Sequence, residues 1–250
     1  MIACVAVVSI ELGLNPAMTI CFCTLAINGA YRRRARLLCS DAPMWSWVVL
    51  TDLPDDFADL SVRAIPHVPT GPMAAEYLSH LPPTGEGRGA AAYHDKRFAL
   101  QAALQDFDTA IYVDADSRVA ALPPLGVFPS GLAVLPVVRK SVAEHLETCG
   151  SWRTPVFVDL ARHLAGDAGI LRAAQWCHEA LVAVTKDGRE SRFFTAWSIA
   201  ADFLQGRGVY SGEGGVIGLA AAYAGWSVDY EAVTELGASI QHEGGGPKEQ

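Results

Sequence analysis

Residues 97–119 read RFALQAALQDFDTAIYVDADSRV, a helix, a strand and an acidic turn in succession. Apolar side chains recur at helical spacing over 93–106 (YHDKRFALQAALQD), and TAIYV (109–113) follows as a buried strand that ends at Asp114. Asp114 and Asp116 thereby stand at the carboxyl end of a strand, the edge of an open α/β sheet where ligands bind. Two carboxylates spaced i, i+2 there can converge on one hard cation, and Mg²⁺ or Mn²⁺ held this way completes its shell with water and phosphate oxygens. Such a cation takes up charge that develops on a departing diphosphate. A solvated acidic turn is the plainer alternative. An EF-hand loop is excluded, because counting from Asp114 puts Val119 where glycine is needed and Leu125 where the bidentate glutamate belongs.

Outward from this segment, TICFCT (19–24), a helix over 28–39, WSWVVL (45–50) and Val62 to Ile65 alternate strand with helix. The alternation predicts an α/β fold with a mostly parallel, twisted sheet flanked by helices. A Pro/Gly-rich stretch from Pro66 to Gly89 predicts a loop with one short helix over 73–80. Beyond it, LAVLPVV (132–138) predicts a strand, the segments 156–165, 168–184 and 191–204 predict helices, Gly214 to Ala224 a helix after a glycine turn, and 226–233 a strand. The tail SIQHEGGGPKEQ is too glycine-rich for an element. No internal repeat and no linker divides the chain, so residues 18–250 are expected to form one domain, with 1–17 as an N-terminal extension.

With 250 residues, 51% of them hydrophobic, the chain can bury one large core. The net charge is −8, and the basic run Arg32, Arg33, Arg34 and Arg36 reads as a solvated helix face, so nucleic acid is not an expected partner. Six cysteines are scattered at 4, 21, 23, 39, 149 and 177 without a CxxC, which fits reduced thiols in a cytoplasmic protein. The apolar residues 1–14 are shorter than the roughly 20 that span a bilayer and lack the flanks of a signal peptide, so no transmembrane segment is expected.

The pattern RFALQAALQDFDTAIYVDAD resembles the donor-site segment of GT-A glycosyltransferases, a Rossmann-like fold, and most closely glycosyltransferase family 8. There an arginine opens the helix before the metal-binding strand, and Arg97 lies at the matching distance from Asp114. The family completes its metal site with a histidine in a pattern His-x-x-Gly-x-x-Lys, matched by His242, Gly245 and Lys248. The resemblance implies that Asp114, Asp116 and His242 hold Mn²⁺ (or Mg²⁺), that Arg97 and Ala115 meet the donor, and that Gly245 and Lys248 meet its diphosphate. ICFCTLAINGA resembles the family's nucleotide-binding opening, which puts Thr24, Leu25, Ala26 and Asn28 near base and ribose, although Asn28 also suits a helix N-cap. The chain departs from the family after Lys248, where Glu249 and Gln250 replace Pro-Trp, and its middle carries no family-8 signature. The nucleotide-binding half would cover about 18–120 and the acceptor-binding half about 121–250.

The segment VYSGEGGVIGLAAAYAG resembles the GT-A arrangement that places an acid at a helix start beside the bond being made. Glu213 would then act as general base in an inverting reaction or position the acceptor in a retaining one, with a glutamate placed at a helix N-terminus by the dipole as the alternative. Asp202, Arg192 and Trp197 are acceptor-side candidates on a predicted helix, with an aromatic core position as the alternative for Trp197. Asp95 and Lys96, which precede Arg97 at the start of its helix, could reach the sugar or phosphates, with a solvated first turn as the simpler account. The expected substrates are a nucleotide-diphosphate sugar, UDP by default, and a small-molecule, glycan or protein acceptor. Two rivals remain: a phosphatase of the haloacid dehalogenase type using the same aspartate pair, for which Arg118 stands where threonine or valine is usual, and a non-catalytic nucleotide or sugar binder.

Overall fold

The computed structural model describes residues 18–70, 91–123, 125–137, 139–149, 151–209 and 212–242. The N-terminal extension, the short helix expected over 73–80, Gly245 and Lys248 lie outside them. Helices are α1 (Asn28–Asp41), α2 (Lys96–Ala103), α3 (Val142–Cys149), α4 (Thr154–Ala165), α5 (Ile170–Ala173), α6 (Glu190–Gln205), α7 (Glu213–Ala224) and α8 (Thr234–Ser239). Strands are β1 (Ile20–Ala26), β2 (Trp47–Thr51), β3 (Arg63–Pro66), β4 (Thr109–Val113), β5 (Ser117–Val119), β6 (Gly131–Val134), β7 (Leu181–Thr185), β8 (Val228–Asp229) and β9 (Ile240–His242).

Seven strands form one sheet in the order β3-β2-β1-β4-β7-β6-β8, with β4 central. Only β7 runs against its neighbours, so the sheet is mostly parallel, as the alternation of elements predicts. Both halves of the chain contribute strands to it. Side chains on a strand alternate between faces, and each face is covered by helices. Cys23, Leu25, Tyr112, Val182 and Val184 point toward α2, α4, α6 and α7. Phe22, Val49, Ile111, Val113 and Ala183 point toward α1, Trp45 and α8. Among the described residues no helix is long and apolar enough to cross a membrane.

The sharpest difference from the sequence-based expectation is the segment 168–184. Instead of one helix it gives the single turn of α5, an extended loop, and then β7. LVAVT is buried along its whole length between β4 and β6. A β-branched run paired on both sides gains more as a strand than local helical spacing can offer. The strand expected over 132–138 stops at Val134, two residues before Pro136, which has no N–H to give a ladder. The strand over 226–233 shrinks to β8, because the Asp229 carboxylate accepts the N–H groups of Glu231 and Ala232 and closes a turn. The tail does form an element: β9 pairs antiparallel with β5. The helix over 93–106 is a 3-10 turn at 91–95 followed by α2.

Helix α7 is apolar nearly all round and correspondingly buried, with Val216, Ile217, Gly218, Leu219, Ala220 and Ala221 at 0% exposure or within the core. Its glycines admit neighbouring backbone: a Cβ at Gly218 would overlap the carbonyl oxygen of Gln175. Gly218→Ala is therefore expected to lower stability by about 2–3 kcal/mol, outweighing the ~1 kcal/mol that alanine contributes in a helix interior. The urea midpoint of the variant checks this.

Candidate active site

Strand β4 delivers Asp114 and Asp116 to the carboxyl edge of the sheet. Asp114 N donates to Ala180 O (3.0 Å), Ser117 N donates back to Asp114 O (3.0 Å), and Ala115 is tucked inside at 3% exposure. This tight turn leads into β5, which pairs with β9 so that Ser117 faces His242 across the ladder. The Arg118 guanidinium anchors β5 to the end of α1 through two bonds to Asp41 (2.6 and 2.8 Å). His242 Nδ1 stands 3.3 Å from Asp116 Oδ1 and 3.4 Å from Ser117 Oγ. One ligand atom from each of Asp114, Asp116 and His242 can be chosen so that all lie within 4.8 Å of one another. Two carboxylates and an imidazole fit Mn²⁺ or another oxygen- and nitrogen-preferring divalent ion, with no thiolate to draw a softer one.

Lys96 enters this site, in contrast to the solvated first turn expected of it. It is 5% exposed, with Nζ 2.8 Å from Asp114 Oδ1, 3.7 Å from Glu213 Oε1 and 3.4 Å from the Glu179 carbonyl oxygen. Its ammonium also lies 5.3 Å from the Tyr112 ring centroid. Burial opposes the charge, but Asp114, Glu213 and Glu179 outweigh it and hold the lysine pKa above its ordinary value. Asp95 is likewise inside, at 0% exposure, accepting from Thr70 and His67. Burial alone would raise its pKa; the bonds from His67 and Thr70 bring it below the usual carboxylate value.

Arg97 points elsewhere. Its guanidinium is 3% exposed, donates to His94 O (2.7 Å) and Ser198 Oγ (3.1 Å), and lies 3.4 Å from Asp95. It braces the start of α2 against α6, while the neighbouring Lys96 reaches Asp114.

Glu213 opens α7 directly after Gly212, whose φ of 99° suits glycine, and is 8% exposed with its carboxylate toward Lys96. Next to it stands Glu179, on the loop before β7. Burial first, then the negative charge of Glu213, pushes its pKa up to about 7 against the pull of Lys96. Glu179 Oε2 is buried without a hydrogen-bond partner. Because the folded protein disfavours the ionised form, the stability this group contributes is present below pH ~4.5 and is lost as pH rises through about 7. Wild type is expected to lose on the order of 2 kcal/mol relative to Glu179→Gln between pH 5 and pH 8 in EDTA, read by urea denaturation.

The remaining expected residues fall in different places. Thr24, Leu25 and Ala26 end β1; extending its register with β4 sets Leu25 level with Asp114, so this strand end borders the same edge. Thr24 Oγ1 is buried without a partner. Asn28 adopts φ 70° and caps α1, its Oδ1 accepting the N–H groups of Ala30 (3.0 Å) and Tyr31 (3.2 Å). The basic run is not simply a solvated face: Arg32 pairs with Asp52 and Asp56, Arg36 with Asp59, and Arg34 lies 3.6 Å from Asp116.

The acceptor-side trio needs correction. Trp197 is 0% exposed and packs edge-on against Phe193, so it offers no face to a sugar. Arg192 is exposed and stacks on Tyr223, ten residues along α7 from Glu213, which is about 15 Å of helix. Antiparallel β7 carries the chain away from Asp114, and this places the start of α6 at the opposite end of the sheet. Asp202 is exposed and acts electrostatically on Arg97. The residues missed from sequence are Glu179, His178, Arg34 and the hydrogen-bonded pair Tyr31 and Tyr93, while Lys96 was read as able to reach the sugar or phosphates but more simply as solvated. The cluster Asp95-Lys96-Arg97 at a helix start was the available signal; Glu179 was hidden by the helical reading of its segment.

The sequence matches no protein-family model and no curated protein. Solved structures similar in chain trace include the apo form of mouse xyloside xylosyltransferase 1, at 7% identity and TM-score 0.40 over 84% of this chain and 83% of that one. The PaToxG glycosyltransferase follows at 12% identity and TM-score 0.41, covering 82% and 69%. The apo WbbM bifunctional glycosyltransferase gives 11% identity and TM-score 0.42, covering 94% of this chain and 48% of its own. Likeness at this level carries no functional argument by itself; what bears on function is the cluster at the end of β4.

Proposed function

We propose that this chain is a metal-dependent glycosyltransferase of the GT-A fold, residues 18–250 forming one domain, that moves a sugar from a nucleoside diphosphate, by default UDP, to a small-molecule, glycan or protein acceptor. The observation that carries the reading is the convergence of Asp114, Asp116 and His242, brought together by the β5–β9 pairing, beside the buried Lys96–Glu213 pair. When bound, Mn²⁺ or Mg²⁺ would neutralise charge on the departing diphosphate.

The chain's own residues supply the rest. Asp114, Asp116 and His242 hold the cation, and the end of β1 borders the nucleotide. Lys96 keeps a positive charge beside Asp114 and holds Glu213 in place. Glu213, at the start of α7, faces the reacting carbon as general base or as acceptor-positioning group. Arg97 supports this arrangement through the helix start, and Gly245 and Lys248 meet the diphosphate by the family resemblance. The five described cysteines are all free, which fits a reducing compartment.

The test is calorimetric titration of UDP, GDP, ADP and CDP, each with Mn²⁺ and with EDTA. One nucleotide is expected to bind at least about tenfold more tightly with metal. No binding of any nucleoside diphosphate in Mn²⁺ would sink the reading. Hydrolysis of a phosphomonoester that depends on Asp114 would favour the phosphatase instead.

A further inference from the structure

The wall beside Glu213 holds polar groups that the proposed chemistry does not use. Glu179 Oε2 is buried without a partner, and the Trp176 indole nitrogen lies beside it: both stand within 3.0 Å of where a Cβ on Gly214 would be. Gly214 is closely packed there, since a Cβ would also overlap the Cys177 carbonyl oxygen. Glu179 as a whole is only half-buried, and the terminal torsion of a glutamate is soft. A buried carboxyl without a partner is costly, and a ligand group that completes it removes that cost.

Its location names the ligand. The Glu179 carbonyl oxygen and Asp114 Oδ1 both lie within 3.4 Å of Lys96 Nζ, a span no longer than one pyranose ring with its hydroxyls. In the proposed function Asp114 holds the cation at the diphosphate, so the residue that bears this carbonyl borders the sugar attached to it. We propose that the Glu179 carboxyl hydrogen-bonds a hydroxyl of the transferred sugar and, with Trp176 Nε1, selects the donor. This rests on the glycosyltransferase reading. With its pKa pushed up to about 7, the carboxyl is partly protonated at neutral pH and can donate as well as accept.

The experiment titrates UDP, UDP-glucose, UDP-galactose, UDP-xylose and UDP-N-acetylglucosamine in Mn²⁺ into wild type, Glu179→Ala and Glu179→Gln, with melting curves alongside. Glu179→Ala is expected to bind UDP within about twofold of wild type but to lose about tenfold or more for the UDP-sugar that wild type prefers. Glu179→Gln, which keeps a donor and an acceptor in the same shape, retains most of that affinity. Loss in both variants with UDP binding intact still supports the contact and assigns it to the carboxylate form. The proposal is overturned if Glu179→Ala binds the preferred UDP-sugar as wild type does, if wild type favours no UDP-sugar over UDP, or if both variants lose UDP equally. Failure of wild type to bind any nucleoside diphosphate is a different outcome, since it removes the glycosyltransferase reading and this inference with it.

Discussion

Replacing both Asp114 and Asp116 with alanine is expected to weaken Mn²⁺-dependent nucleotide binding by about 100-fold or more, since loss of groups that merely orient metal ligands already costs 10–100-fold. The pair supplies two of the three groups that converge at the end of β4. Asp114 also neutralises Lys96, so the double variant should melt earlier even without metal. Asp116→Ala separates the two effects. Asp116 contacts His242 and the exposed Arg34 but not Lys96, so this variant should lose metal-dependent binding while its metal-free melting temperature stays near that of wild type. Calorimetry with and without EDTA, paired with thermal melts, reads both quantities. Unchanged binding in Asp116→Ala would remove it from the metal site.

Lys96→Met carries the second large effect. The ammonium is nearly inaccessible and lies between Asp114 and Glu213, with Glu179 contributing both a carbonyl bond and negative charge. Methionine keeps the length of the stem and deletes the charge, leaving acids to face one another away from water. Removing one partner of a buried ion pair costs about 3–5 kcal/mol, and that loss is expected in EDTA. A divalent cation restores positive charge at Asp114, so saturating Mn²⁺ should raise the melting temperature of Lys96→Met more than that of wild type. A loss below about 1 kcal/mol would mean that water screens the cluster, as at exposed ion pairs.

The two effects differ in how they could be foreseen. Asp114 and Asp116 were legible because strand, turn and acids are contiguous, and a buried strand ends where its apolar run ends. The burial of Lys96 was not, because first-turn charges on helices are ordinarily solvated; it follows from what the side chain meets, namely Glu213 at the start of α7 and the loop before β7. Glu179 was lost with its segment, where local helical spacing competed with pairing to two strands and the pairing won. Asn28 was read both as a nucleotide contact and as a helix cap, and its side chain is bound up in capping α1.

By itself the sequence determined the α/β alternation, the strands β1, β2 and β4, the helices α1, α4, α6 and α7, and the acidic pair at a sheet edge. These depend on the periodicity of apolar residues and on the residues that break it, which act over a few positions of chain. Only the tertiary structure decided that β7 is a reversed strand, that Ile240–His242 pairs with Ser117–Val119, and that Lys96, Glu179 and Glu213 share one buried site. Those outcomes join groups separated by dozens of residues, and their free energies come from burial, strand pairing and charge compensation that exist only once the distant partners meet.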